Sequence, residues 1–221
     1  MVILCNLMYD YIANKFTIVY KGELQIIYII GGYKMKKINP FDECPVYETK
    51  NFIFRLVNEK DAEDLFTVYT DPITLKHENR DGFSGEWNLK SSDELKNAWQ
   101  AEYKNRQFVR WSIISKDTSS VIGTIEIAPL PWGKWFFGTE TPVGILRLDL
   151  LSSFEKQAYF SEIIYMMATE LANDFKVTKI IMKAPSNQPE RVNALILNQF
   201  YPDTNKEFRY DDYYIRINTI V

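Results

Sequence analysis

Residues 144–182 read GILRLDLLSSFEKQAYFSEIIYMMATELANDFKVTKIIM. Leu146, Leu148 and Leu150 alternate with Arg147 and Asp149, which predicts a strand with one apolar and one charged face. Phe160, Ile163, Ile164, Met167, Ala168, Leu171 and Phe175 then recur at helical spacing, the stripe of a core-facing helix. Lys179 to Met182 reads as a short buried strand. Strand, helix and strand in this order predict one parallel crossover. Within it, SFEKQAYFSE (153–162) carries the chain from strand to helix. Such turns cradle phosphates on backbone N–H groups and use glycines to let the phosphate approach. This turn has no glycine. It reads either as a phosphate-binding turn stripped of its usual residues or as a plain helix start.

Working outward, NFIFRLV (51–57) alternates as a strand. Asn58 with Asp61 forms a capping-box-like start for a helix over about 60–69, with Ala62, Leu65, Phe66 and Tyr69 on one face, and Asp71-Pro72 ends it. A loop containing GFSGEW (82–87) follows, and Ser91 with Glu94 opens a second helix to about Lys104. Phe108–Ser115 and Val121–Ala128 are strands around the turn KDTSS, and the long aromatic stretch PLPWGKWFFGTETP leads into the strand at 144. Beyond the crossover, Pro189 sits in the first turn of a last helix, and EFRYDDYYIRIN (207–218) supplies one or two strands. The order is β-α-α-β-β-β-α-β-α-β. It predicts an α+β fold, with a mostly antiparallel central sheet, one parallel crossover and helices on both faces.

Composition narrows the function. A chain of 221 residues, 46% hydrophobic and 25% charged, suits one ordinary globular domain. The net charge of −3 comes with no basic stripe, which argues against nucleic acid and anionic membranes as partners. Cys5 and Cys44 match no ligand spacing, and His77 is the single histidine, so no metal site is expected. The apolar runs are too short to span a bilayer, and the unpaired cysteines fit a reducing cytoplasm.

Residues 1–34 stand apart, with FTIVY and LQIIYII flanking KGE as a hairpin. Ile30-Gly31-Gly32 can be encoded by a sequence containing AGGAGG, a bacterial ribosome-binding sequence, with Met35 as the following start. Residues 1–34 then read as a translated leader and 35–221 as the domain; a genuine edge hairpin is the other reading.

Three runs together resemble the GNAT superfamily of N-acyltransferases, nearest the ribosomal-protein N-terminal acetyltransferase subgroup. They are ETKNFIFRLVNEKDAEDLFTVYTDP (48–72), WSIISKDTSSVIGTIEI (111–127) and the stretch from Gly144 to Tyr201. The resemblance covers about residues 46–217. It implies acetyl-CoA as co-substrate and a turn of type Q/R-x-x-G-x-G/A, which falls here on Glu155–Phe160. Ala158 replaces the first glycine and Phe160 the second small residue, while the N–H donors of residues 156–160 survive both changes. The cofactor-binding residues it implies are Leu150, Lys156, Gln157, Ala158, Tyr159 and Asn187. Asn187 shares the family's asparagine position with Gln188, spacing not deciding, and an N-cap role is the alternative.

Acyl transfer to an amine needs a proton acceptor near the thioester. Asp149, just before the turn, is the first candidate and Glu126 the second, with an Arg147–Asp149 ion pair as the structural alternative. The family's tyrosine acid maps near Leu195 and is absent, and Tyr201 lies too late to replace it. Trp87 in the first loop is a candidate for binding the acceptor. The resemblance therefore implies an acetyl-CoA-dependent N-acetyltransferase acting on a primary amine of a peptide N-terminus or small molecule, as monomer or homodimer. A GNAT-shaped binding or regulatory domain without turnover is the alternative.

Overall fold

The computed structural model describes residues 7–10, 15–20, 23–28, 39–74, 99–128, 143–207 and 211–218. The chain divides into two units, Met1–Lys37 and Ile38–Val221. In the first, β1 (Leu7–Asp10), β2 (Lys15–Tyr20) and β3 (Glu23–Tyr28) form an antiparallel three-stranded sheet. The β2–β3 pair is the expected hairpin, Tyr20 facing Glu23. The sequence reading had no counterpart for β1, whose LMYD is too short to show a period.

The second unit is built on an eight-stranded sheet. Its strands are β4 (Tyr47–Glu48), β5 (Phe52–Leu56), β6 (Val109–Ser115), β7 (Val121–Ala128), β8 (Val143–Leu150), β9 (Lys179–Lys183), β10 (Tyr201–Pro202) and β11 (Tyr213–Ile217). In space they run β10-β11-β9-β8-β7-β6-β5-β4. Every neighbouring pair is antiparallel except β8 with β9, the parallel crossover read from residues 144–182.

Helix α1 (Ala62–Thr70) follows a short 3-10 turn at Glu59–Asp61. The capping box is present: Asn58 Oδ1 accepts from the Lys60 amide at 2.9 Å, and Asp61 Oδ2 accepts from the Asn58 amide at 2.9 Å. Asp61 also takes a forked pair from Arg55 at 2.6 and 2.8 Å and the Ser112 hydroxyl at 2.7 Å, which ties the helix start to β5 and β6. Leu65 and Val68 are the buried positions of α1, whereas Phe66 is exposed, contrary to the apolar face read from the sequence. The true stripe passes through Asp61, Leu65 and Val68, and the buried carboxylate at its start hides it from a count of apolar residues.

Helix α2 (Gln157–Met166) runs on through a π-helical turn, Met167–Leu171, and a last α-turn, Ala172–Asp174. A π turn displaces the regular ladder, and here Asn218 Nδ2 donates to the Ala168 carbonyl at 2.7 Å. Helix α3 (Pro189–Leu197) packs beside α2, where Asn198 Nδ2 bonds the Ser161 carbonyl and hydroxyl at 3.2 and 3.1 Å.

The sheet has two unlike faces. Phe52, Phe54, Trp111, Ile125, Leu146, Leu148 and Leu150 share one buried cluster with Phe160, Ile163, Ile164 and Leu171 of α2. On the other face stand Arg110, Thr124, Glu126, Arg147 and Asp149, on the side of α1. Gly123 brings β7 hard against β8: a Cβ there would lie 2.2 Å from the Asp149 carbonyl oxygen.

Candidate active site

The parallel pairing of β8 with β9 stops early. Its last partners are Leu146 and Met182, yet β8 continues to Leu150. β9 itself runs only to Lys183, so beyond Leu146 that edge of β8 is left without a strand partner among the described residues. On the opposite edge β8 stays paired with β7, and the Leu151 amide donates to the Ile122 carbonyl at 2.8 Å. By the alternation of an antiparallel ladder, Leu148 and Leu150 turn their N–H edges toward the side that β9 has left. The Leu150 carbonyl is taken by the Thr74 hydroxyl at 2.8 Å, and the Leu150 side chain is in the core.

Past this gap the chain makes a 3-10 turn at Ser152–Phe154 and enters α2. The turn is pinned by Asp71, which accepts the Ser152 hydroxyl at 2.6 Å. Burial would raise the Asp71 pKa, but the Ser152 hydroxyl and the amides of Thr74 and Ile73 hold it below the ordinary carboxylate range. Lys156 is the N-cap of α2, and no side chain caps the helix. Among residues 156–160, the two outer amides are engaged: Lys156 N donates to Phe154 O at 2.7 Å and Phe160 N to Lys156 O at 2.9 Å. The expected donor set thus shrinks to Gln157, Ala158 and Tyr159, whose amides are first-turn groups with no carbonyl one turn back. Gln157 and Ala158 are exposed. Phe160 points into the core and does not obstruct them. Lys156 is exposed, its Nζ 5.4 Å from the Tyr159 ring, and Tyr159 packs edge-on against Phe52 at 5.2 Å.

Charged groups form a row across the polar face. Arg110 on β6 faces Glu126 on β7, which faces Arg147 on β8. Glu126 is ion-paired with Arg110, which also reaches Glu102 at 3.4 Å and lies 4.1 Å from the Trp99 ring. In the next row, Thr124 faces Asp149. Asp149 is 2% exposed and accepts from Arg147 Nε at 2.6 Å and from the Tyr69 hydroxyl at 3.4 Å; that hydroxyl also shares a 2.7 Å hydrogen bond with Thr124. Burial, and then the charge of Asp149, push the Tyr69 phenol up, so it stays protonated. The Arg147–Asp149 ion pair, held open as the structural alternative, is therefore present, and both candidate carboxylates are engaged by arginines. Glu102 was not singled out in the sequence, and burial raises its pKa while Arg110 opposes the rise.

At the head of α3 the two alternatives from the sequence separate. Asn187 is exposed, whereas Gln188 is buried and its Nε2 donates to Glu155 Oε1 at 2.8 Å. Gln188 is also the N-cap residue of α3, but its side chain caps nothing there. One turn on stands Arg191, which the sequence reading passed over. It is 3% exposed, its guanidinium carbon 4.9 Å from the Phe160 ring. It shares its helix face with the buried Leu195 four residues on, so an arginine on an apolar stripe was the available signal. Leu195 itself is in the core and carries no acid. Trp87, His77 and the aromatic loops lie outside the described residues.

A groove of 840 Å³ runs along the outer side of α2; Gln157 and Ala158 line it at the helix start, and Glu48, Glu162 and Glu170 line it further on, so only the helix start suits phosphates. The uncapped start of α2 and the β8 edge beyond Leu146 are the better site.

Residues 51–194 match the family described as Acetyltransferase (GNAT) domain. The chain belongs to the GNAT acetyltransferase family. A curated relative, the uncharacterized N-acetyltransferase YoaA of Bacillus subtilis strain 168, is 28% identical over 82 residues, which cover 37% of this chain and 44% of that protein. The match thus spans less than half of that relative's length. Solved GNAT structures match over most of both chains. The ribosomal-protein-S5-alanine acetyltransferase from Vibrio fischeri gives a TM-score of 0.55 at 12% identity, covering 79% of this chain and 97% of its own. The spermidine N-acetyltransferase from Vibrio cholerae, solved with CoA and spermine, gives 0.59 at 12% identity, covering 76% and 96%. Identities this low speak for the shared fold.

Proposed function

We propose that the chain transfers an acetyl group from acetyl-CoA to a primary amine, on a peptide N-terminus or a small molecule. The observation that carries this reading is the β8 edge that β9 leaves uncovered beyond Leu146, beside the uncapped start of α2. Together they offer a backbone edge for an extended amide chain and a set of N–H donors for a pyrophosphate. The amides of Gln157, Ala158 and Tyr159 would hold the phosphates, with the Lys156 ammonium beside them and Gln188 at the inner end of the turn. The thioester supplies the activated acyl group. Asp149, on the polar face just before the gap, receives the proton of the attacking amine, with Glu126 in second place. Tyr69 and Arg147 hold the Asp149 carboxylate in position. Two structural neighbours are named for acceptors that carry amines, a ribosomal protein and spermidine.

Titration calorimetry and thermal shift with acetyl-CoA test the donor, and thiol release with a panel of amines tests the transfer. Saturable heat, a raised melting temperature and thiol release with at least one amine are expected. Ala158→Glu, which sets a negative charge beside the phosphates, is expected to abolish binding. No heat and no shift at millimolar acetyl-CoA would overturn the reading. Binding without thiol release favours the second reading, a GNAT-shaped binding or regulatory domain, which the engagement of both candidate carboxylates by arginines supports.

A further inference from the structure

Among the described residues, Arg191 is the buried charged side chain that the fold leaves unanswered. Its side chain is 3% exposed, and among the described residues it makes no ion pair and no hydrogen bond; its Nε is buried without any acceptor. Isolated buried charges are costly, and folded proteins keep them where a partner arrives. The nearest aromatic group is the Phe160 ring at 4.9 Å, in the first turn of α2. The charged groups that act on it are Asp149 at the end of β8, Glu155 in the turn and Arg147. Arg191 therefore lies on the α2 side of β8 and feels Asp149 on the other side. Burial pulls its pKa down, and Asp149 and Glu155 oppose that, so what it lacks is a direct acceptor and not a distant counter-charge.

We propose that Arg191 is the group that receives the sulfur anion released when the thioester of a bound acyl-CoA is broken. This rests on the acyl-CoA reading above. In the transfer the amine nitrogen forms a bond to the thioester carbonyl carbon, and the carbon–sulfur bond breaks with its electron pair on sulfur. The proton lost by the amine goes to the Asp149 carboxylate. One negative charge thus leaves Asp149 and one appears on sulfur, and the charge around Arg191 is conserved while its acceptor is supplied. A thiolate is a large, weakly hydrated anion, which suits a guanidinium seated over an aromatic ring away from water. A phosphate fits this place less well, since the exposed amides of Gln157 and Ala158 offer it a hydrated site.

The experiment needs no acceptor amine. Acetyl-CoA and free CoA are titrated into the full chain between pH 6 and 9, and the thiolate absorbance near roughly 240 nm is followed for bound CoA. The wild-type chain is expected to bind both, with CoA carrying a thiolate at least about one pH unit below its solution titration, a tenfold shift in the thiolate equilibrium. Arg191→Met is expected to lose that shift while acetyl-CoA binding stays within about threefold, and Arg191→Lys to keep part of it. Melting curves of both variants report whether they fold, and the wild-type titration decides the question if Arg191→Met does not. Acetyl-CoA binding with an unshifted CoA thiol in the wild type overturns this inference and leaves the donor reading standing. Loss of inorganic pyrophosphate binding in the variants would make Arg191 a phosphate contact instead. A wild-type preference for succinyl-CoA over acetyl-CoA that Arg191→Met removes would make it a receptor for an acyl carboxylate. If neither CoA species binds, the donor reading falls and this inference falls with it.

Discussion

The two faces of β8 share a backbone and do opposite jobs. Leu146, Leu148 and Leu150 point to the α2 side, where they join a continuous apolar cluster. Arg147 and Asp149 point the other way, into a network with Tyr69, Thr124 and the Arg110–Glu126 pair. Apolar contacts are tolerant of neighbours and additive in area, so the first face specifies that the strand is central. The second face is costly to bury, and each of its members depends on one particular partner. A strand that only needed to be central would have no use for a buried ion pair. The pair marks the face on which chemistry is expected.

The largest test of this contrast is on the apolar side. Phe160→Ala removes a fully buried ring from the cluster and is expected to cost about 4 kcal/mol, seen as a lowered denaturant midpoint with an unchanged slope. A loss below about 1 kcal/mol would mean that the cluster refills the space and that this face is less specified than the packing implies. On the polar side, Arg147→Met strands the buried Asp149 carboxylate, and a loss of about 3 kcal/mol is expected at neutral pH. Arg147→Met combined with Asp149→Leu is expected to recover most of it, because the charge and its partner go together. A double variant as unstable as the single one would show that packing, and not the stranded charge, set the penalty.

Asp149→Asn separates function from fold on the same face. Turnover is expected to fall by roughly a hundredfold, and acetyl-CoA affinity to stay within about threefold. Unchanged turnover removes Asp149 as the proton acceptor and leaves it as the structural partner of Arg147. The smallest effect expected concerns acid. Burial alone would raise the Asp61 pKa, but Arg55, the Asn58 amide and Ser112 together hold it below the ordinary value. A depressed folded-state value means that its contribution to stability is complete above the unfolded pKa of about 4 and is lost as pH falls through the folded one. The melting temperature is therefore expected to drop between about pH 5 and 3, and Asp61→Asn to show a lower plateau with a shallower drop. A parallel acid limb in the variant would assign the loss to other carboxylates.

The strand and helix order of the second unit was legible in the sequence because local period and turn chemistry carry it. Leu-Arg-Leu-Asp-Leu alternates whatever surrounds it, and the stripe from Phe160 to Leu171 fits a helix before any partner is known. The turn residues Asp71-Pro72 and the capping residues Asn58 and Asp61 act within a few positions of themselves, and each was found where it was read. Phe66 shows where this fails, since period alone does not say which side of an amphipathic stripe the sheet will cover.

The site is another matter. That Arg147 and Asp149 share one face of β8 was available from strand parity, but the Arg110 partner of Glu126 comes from β6 and the Tyr69 hydroxyl beside Asp149 from α1, 16 and 80 residues away. Gln188 and Asn187 are neighbours of similar chemistry, and only the docking of α3 turns one inward and the other to the surface. Arg191 was passed over in the sequence, where its place four residues before Leu195 was the one sign of burial. Its burial follows from the way α3 packs against α2 and brings it onto the Phe160 ring. The sequence by itself determined the order of the elements, the parallel crossover and the lack of glycine in the turn, because these are written in near neighbours. The tertiary structure alone decided where β9 leaves the edge of β8 uncovered and which side chains reach that gap, because burial and hydrogen-bond satisfaction depend on atoms that come together only once the chain has packed.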